Sequence, residues 1–454
     1  MDETTALASF AVSTELSDVP EPEIDHAKRA VRDYLGVAVY GSRHEVGDRI
    51  AAYVEASSPG TDATVFARGS ASAPGAALAN GTFGHAIDYD DTFESIVIHP
   101  TSPVFAAALA AAERADADGR ALLAGYAVGV ETAFRVGHAT YPSHYDNGWH
   151  STGTVGSFGA AAAAASVLGL SVEETRHAFG VVASGSSSLK RNFGSMTKPL
   201  HAGHAAQIGV RAALLAREGF TADPSVLSGE IGYGAVMTPG GGYDPGEITD
   251  GLGETWSLTD VGFKPYPSGV ITHAAMDALR GIVEREDLAP ADVASITVAL
   301  DDAASEMLIH ADPQNALQAK FSIEFCLAAV LRERDAGVRE FTDEYVAEAE
   351  TRDAIARVER AFEPNLFGAE FAGYGARVTV ETTDGEEHVA EERHAPGGPT
   401  NPVSEARLRA KFDECAGTVL GADDADALAA AVVDLESDGA LSDLLDVLRV
   451  DRTA

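Results

Sequence analysis

The densest group of ionisable side chains in the sequence lies in the segment HAIDYDDT at 85–92, and His99 follows it. If the segment is helical, His85, Asp88 and Thr92 lie on one helix face at the spacing i, i+3, i+7. A carboxylate beside a histidine orients the imidazole and raises its basicity, so this pattern is typical of proton transfer. Two alternatives are an acidic helix end without a catalytic role and a metal site built from Asp and His. The two-histidine spacing of zinc proteases is absent.

A second candidate is His150 in the segment GWHSTGT at 148–154, directly before residues that favour a helix cap. A free helix N-terminus beside a histidine is suited to binding a carboxylate. The alternative is a histidine that serves only the structure.

A third candidate is a run of small, hydroxyl and basic residues before a helix predicted to begin near Pro199. A proline in the first turn leaves free backbone amides, which together with cations form an anion-binding arrangement. The alternatives are a solvated loop and, for His201 on the following helix, a metal ligand or a packed side chain. The cations of this segment are Lys190, Arg191 and Lys198.

Lys264 opens the sequence KPYP at the start of a predicted second domain, and clefts often form where domains meet. These segments together predict a cationic cleft that contains histidines, in a chain whose formal net charge is −38. A small polycarboxylate is the ligand that such a cleft would attract.

The elements that must position these residues are mainly helices. Apolar residues recur at helical spacing through the first 260 residues, whereas strand-like alternation appears at 294–300 and on both sides of Asp384-Gly385. The sequence therefore predicts a mainly α fold, a large all-helical domain with an inserted smaller α+β lid domain. The predicted boundaries are 1–261 and 262–396, with 397–454 as C-terminal helices that return to the helical domain. Helices are predicted at about 74–92, 102–114, 120–138, 152–169, 172–184, 199–218, 272–286, 319–333, 342–361, 403–415 and 423–449.

The composition excludes several classes of protein. The excess of 70 Asp and Glu over 32 Lys and Arg argues against binding nucleic acid through a basic face and indicates a salt-adapted, halophilic surface. With two cysteines, Cys326 and Cys415, there is neither a disulfide framework nor the ligand set of a cubane iron–sulfur cluster. The absence of a signal peptide and of a long apolar run predicts a soluble, cytoplasmic protein without a membrane partner.

From the helix at 27–36 to the segments GGPTNPVS at 397–404 and RAKF at 409–412, the chain resembles the MmgE/PrpD family. This family includes 2-methylcitrate dehydratase, cis-aconitate decarboxylase and iminodisuccinate epimerase. The most specific matching segments are DYDDT at 88–92, His99-Pro, GWHSTGT at 148–154, KPLHAG at 198–203, KPYP at 264–267 and FSIEF at 321–325.

The resemblance implies a site between two domains that needs no metal and no cofactor, in a homodimer. It implies that His99 is a general acid or base, that Asp88 and Thr92 fix its tautomer and orientation, and that His150 is a second proton carrier. Cations would stabilise the negative charge that develops when a proton leaves a carbon next to a carboxylate. The residues predicted to be catalytic are Asp88, Thr92, His99, His150, Lys198 and Lys264, and those predicted to bind substrate are Lys190, Arg191, His201 and Phe325.

Two features depart from the decarboxylase branch of the family. The spacing from Thr92 to His99 is one residue longer, and Phe325 stands where that branch has a tyrosine in its site. The sequence therefore favours a metal-independent hydro-lyase that dehydrates 2-methylcitrate, as in propionate catabolism, or a closely related tricarboxylate. The alternatives are decarboxylation or epimerisation within the same family, a catalytically silent dimer that binds a tricarboxylate, and a metal hydrolase that uses Asp88, Asp91, His99 or His201.

Overall fold

The structure is a computed structural model that describes residues 2–300, 308–368, 371 and 373–449. Its contacts divide the chain into two compact units. The first comprises Met1–Gly262 together with Phe412–Ala454, and the second comprises Phe263–Lys411. The first unit is almost entirely helical, whereas the second combines helices with a small sheet, which confirms the mainly α fold with a smaller α+β domain.

In the first unit, long buried helices pack around one another. Helix α8 has no amphipathic pattern, because nearly every one of its residues is buried. The helices of the N-terminal part are α1 Glu3–Ser13, α2 Glu21–Gly41, α3 Glu45–Ser57, α4 Ala73–His85, α5 Thr101–Ala115, α6 Gly119–Thr140, α7 Ser143–Asp146, α8 Ser151–Val167, α9 Val172–Gly185, α10 Thr197–Arg217, α11 Tyr233–Met237 and α12 Gly246–Thr249.

Glycines allow the central helices to approach closely. A Cβ added at Gly81 of α4 would lie 2.9 Å from the Cα of Gly203 in α10, and one added at Gly203 would lie 2.3 Å from the carbonyl oxygen of Leu78. A Cβ at Gly209 would lie 2.6 Å from backbone and side-chain atoms of Ala160 in α8. These contacts fix α10 against both α4 and α8.

Two features of the first unit differ from the sequence-based prediction. A short antiparallel hairpin, β1 Ala63–Val65 and β2 Gly69–Ala71, lies in the part predicted to be without strands. Helix α4 ends at His85 rather than near residue 92, and Asp88 has a φ of +57°. The predicted common helix face of His85, Asp88 and Thr92 is therefore wrong.

The second unit contains a four-stranded sheet in the order β4-β3-β5-β6. Strand β3 pairs in parallel with β4 and antiparallel with β5, and β5 pairs antiparallel with β6. Helices α13 and α15 cover one face, and their apolar side chains form one buried cluster with those of β3 and β5. The elements are α13 His273–Arg285, β3 Val293–Leu300, α14 Ala316–Ala319, α15 Ile323–Glu333, α16 Asp343–Ala347, α17 Ala349–Ile355, β4 Val358–Phe362, β5 Ala376–Thr382 and β6 Glu387–Glu392.

The predicted helix over 342–361 is wrong. It is interrupted at Glu348, whose ψ of 141° is extended, and it ends before β4. Strand β4 is formed by its parallel pairing with β3, a long-range interaction that the local pattern of the segment does not contain.

The predicted boundary at 396 is also displaced, because the second unit extends to Lys411. The backbone N–H of Phe263 donates to the carbonyl oxygen of Gly397 (2.9 Å), and the guanidinium of Arg407 stacks on the ring of Tyr266. These contacts hold the segment after residue 396 on the second unit. The remaining helices are α18 Glu405–Leu420, α19 Ala422–Val433 and α20 Ala440–Leu448. None of the described helices is long and apolar enough to cross a membrane.

Candidate active site

The loop between α4 and α5, residues 86–100, carries most of the candidate site, and it lies within the first unit. His85, the last residue of α4, and Asp90 in the loop are fully buried. The Nδ1 of His85 lies 2.9 and 3.0 Å from the two carboxylate oxygens of Asp90, and the hydroxyl of Ser102 donates to one of them (2.6 Å). A carboxylate held in this way fixes the imidazole with its proton on Nδ1.

Lys198 and Asp88 form an ion pair that is almost fully buried. Lys198 lies in the first turn of α10, and its Nζ donates to Oδ2 of Asp88. The positive φ of Asp88 is a conformation that Asp adopts more readily than most residues, and such conformations concentrate at functional sites. The close packing of α10 on α4 brings the ammonium to this loop.

His99 is held by a backbone carbonyl and by a threonine hydroxyl. Its Nδ1 donates to the carbonyl oxygen of Asp91 (2.7 Å), and its backbone N–H donates to the hydroxyl of Thr152 (3.1 Å). With the proton on Nδ1, the Nε2 of the neutral ring can accept a proton, and it lies 4.0 Å from Oδ1 of Asp88. The carbonyl of Asp91 thus fixes the tautomer of His99, and the roles predicted for Asp88 and Thr92 stay predictions. The described interactions of Thr92 are backbone hydrogen bonds with Gly262.

The Asp91 side chain anchors the loop to α5. It accepts hydrogen bonds from the backbone N–H and the hydroxyl of Thr101, and the hydroxyl of Tyr126 lies 2.5 Å from that of Thr101. Burial raises the pKa of Asp91 well above its usual value, and the nearby carboxylate of Asp90 raises it further. By anchoring the loop, the Asp91 side chain holds the carbonyl that orients His99.

His150 and His201 form a hydrogen bond through their two Nδ1 atoms, which lie 3.0 Å apart. His150 is the cap residue of α8, and His201 lies in α10. Burial, with a smaller contribution from Lys198, lowers the pKa of His150 well below its usual value. Burial and neighbouring cationic groups lower the pKa of His201 to about 4. Both rings are therefore neutral at pH 7, and one Nδ1 carries the proton that the other accepts.

The rings of His85, His99 and His150 lie close to one another in the candidate site. Their centroids are 4.6 Å apart for His85 and His99, 5.8 Å for His85 and His150, and 6.4 Å for His99 and His150. One ring nitrogen from each of the three lies within 4.8 Å of the other two, so these residues could also hold a metal ion, as could the set His85, Asp88, Asp90 and His99. That the reaction needs no metal ion stays a prediction.

The structure thus brings together four of the residues predicted to be catalytic, Asp88, His99, His150 and Lys198, with Thr92 in the same loop. Lys264 lies at the start of the second unit and is buried there, and its part in the site stays a prediction. Phe325 belongs to the core of the second unit, where it packs on Phe341 and Tyr345. Its predicted role in binding substrate stays a prediction.

The other residues predicted to bind substrate differ in their exposure to solvent. Lys190 is partly exposed, and its Nζ lies 3.7 Å from the centre of the ring of Tyr145. Arg191 is exposed. His201 is buried and contacts His150, and its role in binding substrate stays a prediction.

Four residues that shape the site were missed among the predicted functional residues: Asp90, Ser102, Thr152 and the carbonyl of Asp91. His85 was noted only as part of its segment. The density of acids and histidines at 85–92 was a usable signal for His85 and Asp90. Ser102 and Thr152 carry no such signal, because their role depends on the way in which the loop folds over the starts of α5 and α8.

The chain matches the family of the MmgE/PrpD N-terminal domain over residues 5–245 and that of the MmgE/PrpD C-terminal domain over residues 266–437. It therefore belongs to the MmgE/PrpD family, as its motifs predict.

Individual relatives match the chain over nearly its whole length. The cis-aconitate decarboxylase of Mus musculus is 27% identical, over 95% of this chain and 90% of the relative. The cis-aconitate decarboxylase of Homo sapiens is 27% identical, over 95% of this chain and 92% of the relative. The cis-aconitate decarboxylase of Aspergillus terreus is 26% identical, over 92% and 89%.

Proposed function

We propose that this protein is a lyase that acts on a small tricarboxylate by moving a proton at a carbon next to a carboxylate. The observation that carries the proposal is the convergence of the buried Asp88–Lys198 pair with His99, whose Nδ1 is held by a carbonyl. This arrangement supplies a base with a fixed tautomer beside a cation that can stabilise developing negative charge.

In the proposed reaction, the Nε2 of His99 takes a proton from, or gives one to, the reacting carbon. Lys198 stabilises the additional charge on the substrate carboxylate, and Lys264 is proposed to do the same. His150 carries the second proton. The buried Asp88 carboxylate balances the charge of the Lys198 ammonium while no substrate is bound.

Dehydration of 2-methylcitrate or a closely related tricarboxylate is the first specific reaction that we propose. Phe325 stands where the decarboxylase branch has a tyrosine, and the missing hydroxyl weakens the case for decarboxylation. In that reaction His99 removes a proton from carbon while the neighbouring hydroxyl leaves as water, with His150 as its proton donor.

Decarboxylation of cis-aconitate is the second candidate. It is favoured by the relatives, because cis-aconitate decarboxylases match the chain over nearly its full length. Here carbon dioxide leaves and the resulting carbanion takes a proton. The homodimer that the resemblance implies and a reaction without metal are part of both versions of the proposal.

Proton NMR with both substrates tests the proposal. Purified protein in multimolar KCl, with a chelator present, would be incubated with 2-methylcitrate and separately with cis-aconitate. A methyl singlet on a new carbon–carbon double bond, or an olefinic proton, formed from 2-methylcitrate supports the dehydratase, and itaconate from cis-aconitate supports the decarboxylase. No product from either substrate, or activity that the chelator abolishes, would contradict the proposal.

A further inference from the structure

The ring of His150 depends on one neighbour for its orientation. Its backbone is fixed, since its N–H donates to the carbonyl oxygen of Ser188 (3.0 Å) and its own carbonyl accepts from the first turn of α8. The ring is held less closely. Among the described hydrogen bonds, the ring of His150 makes one, with the Nδ1 of His201. The remaining ring contacts are with aromatic or imidazole rings, such as the edge-on contact with Phe193 at 5.0 Å. Such contacts limit the ring's position but do not select the nitrogen that carries the proton.

The backbone of His201 is fixed by the packing of helix α10. It lies in the second turn of α10, and the Gly81–Gly203 and Gly209–Ala160 contacts press this helix against α4 and α8. A side chain on a helix that is fixed in this way is a precise support for a neighbouring group.

The other side of His201 borders a cavity of about 750 Å³ in the first unit. Trp149, Leu200, His204 and Gln207 contribute to its lining. His201 thus stands between this cavity and the ring of His150. A small molecule in the cavity could reach the position of its side chain if that side chain were removed.

We propose that His201 is a positioning residue, which fixes the tautomer and orientation of the His150 ring so that the Nε2 of His150 is available for proton transfer. The inference rests on the proposed function, and it replaces the predicted role of His201 in binding substrate. Outer-shell partners of metal-bound histidines act in the same way, and their loss typically lowers metal affinity or activity about 10-fold to 100-fold.

Three variants test the inference. His201→Ala removes the hydrogen bond, and His201→Asn keeps a short polar group near the position of Nδ1. His204→Ala is the matched control, because His204 lies one turn further along the same helix, borders the same cavity and hydrogen-bonds to the carbonyl oxygen of Gly185. We expect kcat of His201→Ala to fall about 10-fold to 100-fold with a smaller change in KM. His201→Asn should retain more activity, and His204→Ala should match the wild type.

Rescue by added imidazole separates positioning from a general structural role. Imidazole that enters the cavity should restore part of kcat to His201→Ala in a saturable way, and it should have no effect on the control. Equal kcat values for His201→Ala and His204→Ala would overturn the inference. So would a loss of activity in His201→Ala that imidazole does not restore and that His201→Asn does not lessen.

A measurement without turnover distinguishes a failure of this inference from a failure of the proposed function. Nitrogen NMR of protein labelled at histidine reports which ring nitrogen of His150 is protonated. We expect one tautomer in the wild type and a mixture in His201→Ala, even if neither candidate substrate is converted. A single unchanged tautomer in His201→Ala would overturn the inference, whereas absence of turnover alone would overturn only the proposed function.

Discussion

At the scale of single residues, the ion pair of Lys198 and Asp88 contributes both to the proposed catalysis and to the free energy of unfolding. Replacing Lys198 by Met leaves a buried carboxylate without its described cation, and the loss of one partner of a buried pair typically destabilises a protein by about 3–5 kcal/mol. Removing the cation should also lower kcat at least about 100-fold. Enzyme assays and thermal unfolding would measure the two effects.

The double variant Asp88→Asn/Lys198→Met separates these effects. In this variant position 88 carries no charge that needs a cation. Its melting temperature should therefore return most of the way to that of the wild type, while its kcat should stay low. A double variant with wild-type kcat would show that the cation has no catalytic role.

The histidine pair predicts a dependence of stability on pH. The pKa of His201 is lowered to about 4 in the folded protein, while it stays near its usual value of 6.5 in the unfolded chain. Between these values the unfolded chain binds more protons, so the contribution of His201 to stability is present above pH 6.5 and is lost as the pH falls toward 4. The free energy of unfolding of His201→Gln should therefore fall less steeply than that of the wild type over this range. Parallel curves from urea unfolding would contradict this expectation.

Sequence patterns located the residues of the site better than they predicted their roles. Asp88, His99, His150 and Lys198 were recognised because ionisable side chains stand out in apolar surroundings and match a family motif. The orientation of His99 by the Asp91 carbonyl was not predictable, since any residue type supplies a carbonyl. The bond between His150 and His201 joins two helices and has no local signal.

At the scale of elements, the contact of α4 with α10 connects packing to the site. Gly203→Ala would place a Cβ 2.3 Å from the carbonyl oxygen of Leu78 and 2.1 Å from the hydroxyl of Thr82. Backbone atoms cannot yield as side chains do, so the helices must separate, and we expect a loss of about 1–3 kcal/mol in the free energy of unfolding. Lys198 and His201 lie on α10, so kcat should fall as well.

Gly281→Ala is the matched control for this prediction. Gly281 lies within helix α13, and a Cβ there meets no atom within 4 Å. The substitution should leave kcat unchanged and raise the free energy of unfolding by up to about 1 kcal/mol, because alanine favours a helix over glycine. Equal stability and equal activity in the two alanine variants would contradict the packing argument.

Periodicity predicted the long helices well because each buries a continuous set of apolar residues. It failed where a long-range contact decides the structure. Strand β4 exists through its pairing with β3, and α4 stops at His85 because the following residues form hydrogen bonds across the loop, with α5 and α8. Neither interaction is encoded in a short window of sequence.

At the scale of the whole molecule, the net charge of −38 predicts a strong dependence of stability on salt. Repulsion among the carboxylates opposes the compact state, and the screening length falls from about 10 Å at 0.1 M to about 3 Å at 1 M salt. The melting temperature should therefore rise as KCl is increased from 0.1 M to 1 M and above. A melting temperature that stays constant or falls over this range would contradict the interpretation of a salt-adapted surface.

The most direct test of the central claim is deuterium NMR of the reaction in D₂O, with the wild type and His99→Gln compared in multimolar KCl. If the site moves a proton at a carbon next to a carboxylate, the wild type should introduce deuterium at that single carbon when it decarboxylates cis-aconitate. Dehydration of 2-methylcitrate removes the proton, so in that case deuterium should appear at the same carbon when the unsaturated product is hydrated in the reverse reaction. His99→Gln, folded to the same melting temperature, should do so at least about 100 times more slowly. Deuterium incorporation by His99→Gln at the wild-type rate, or decarboxylation or reverse hydration that leaves no deuterium at that carbon, would contradict the account.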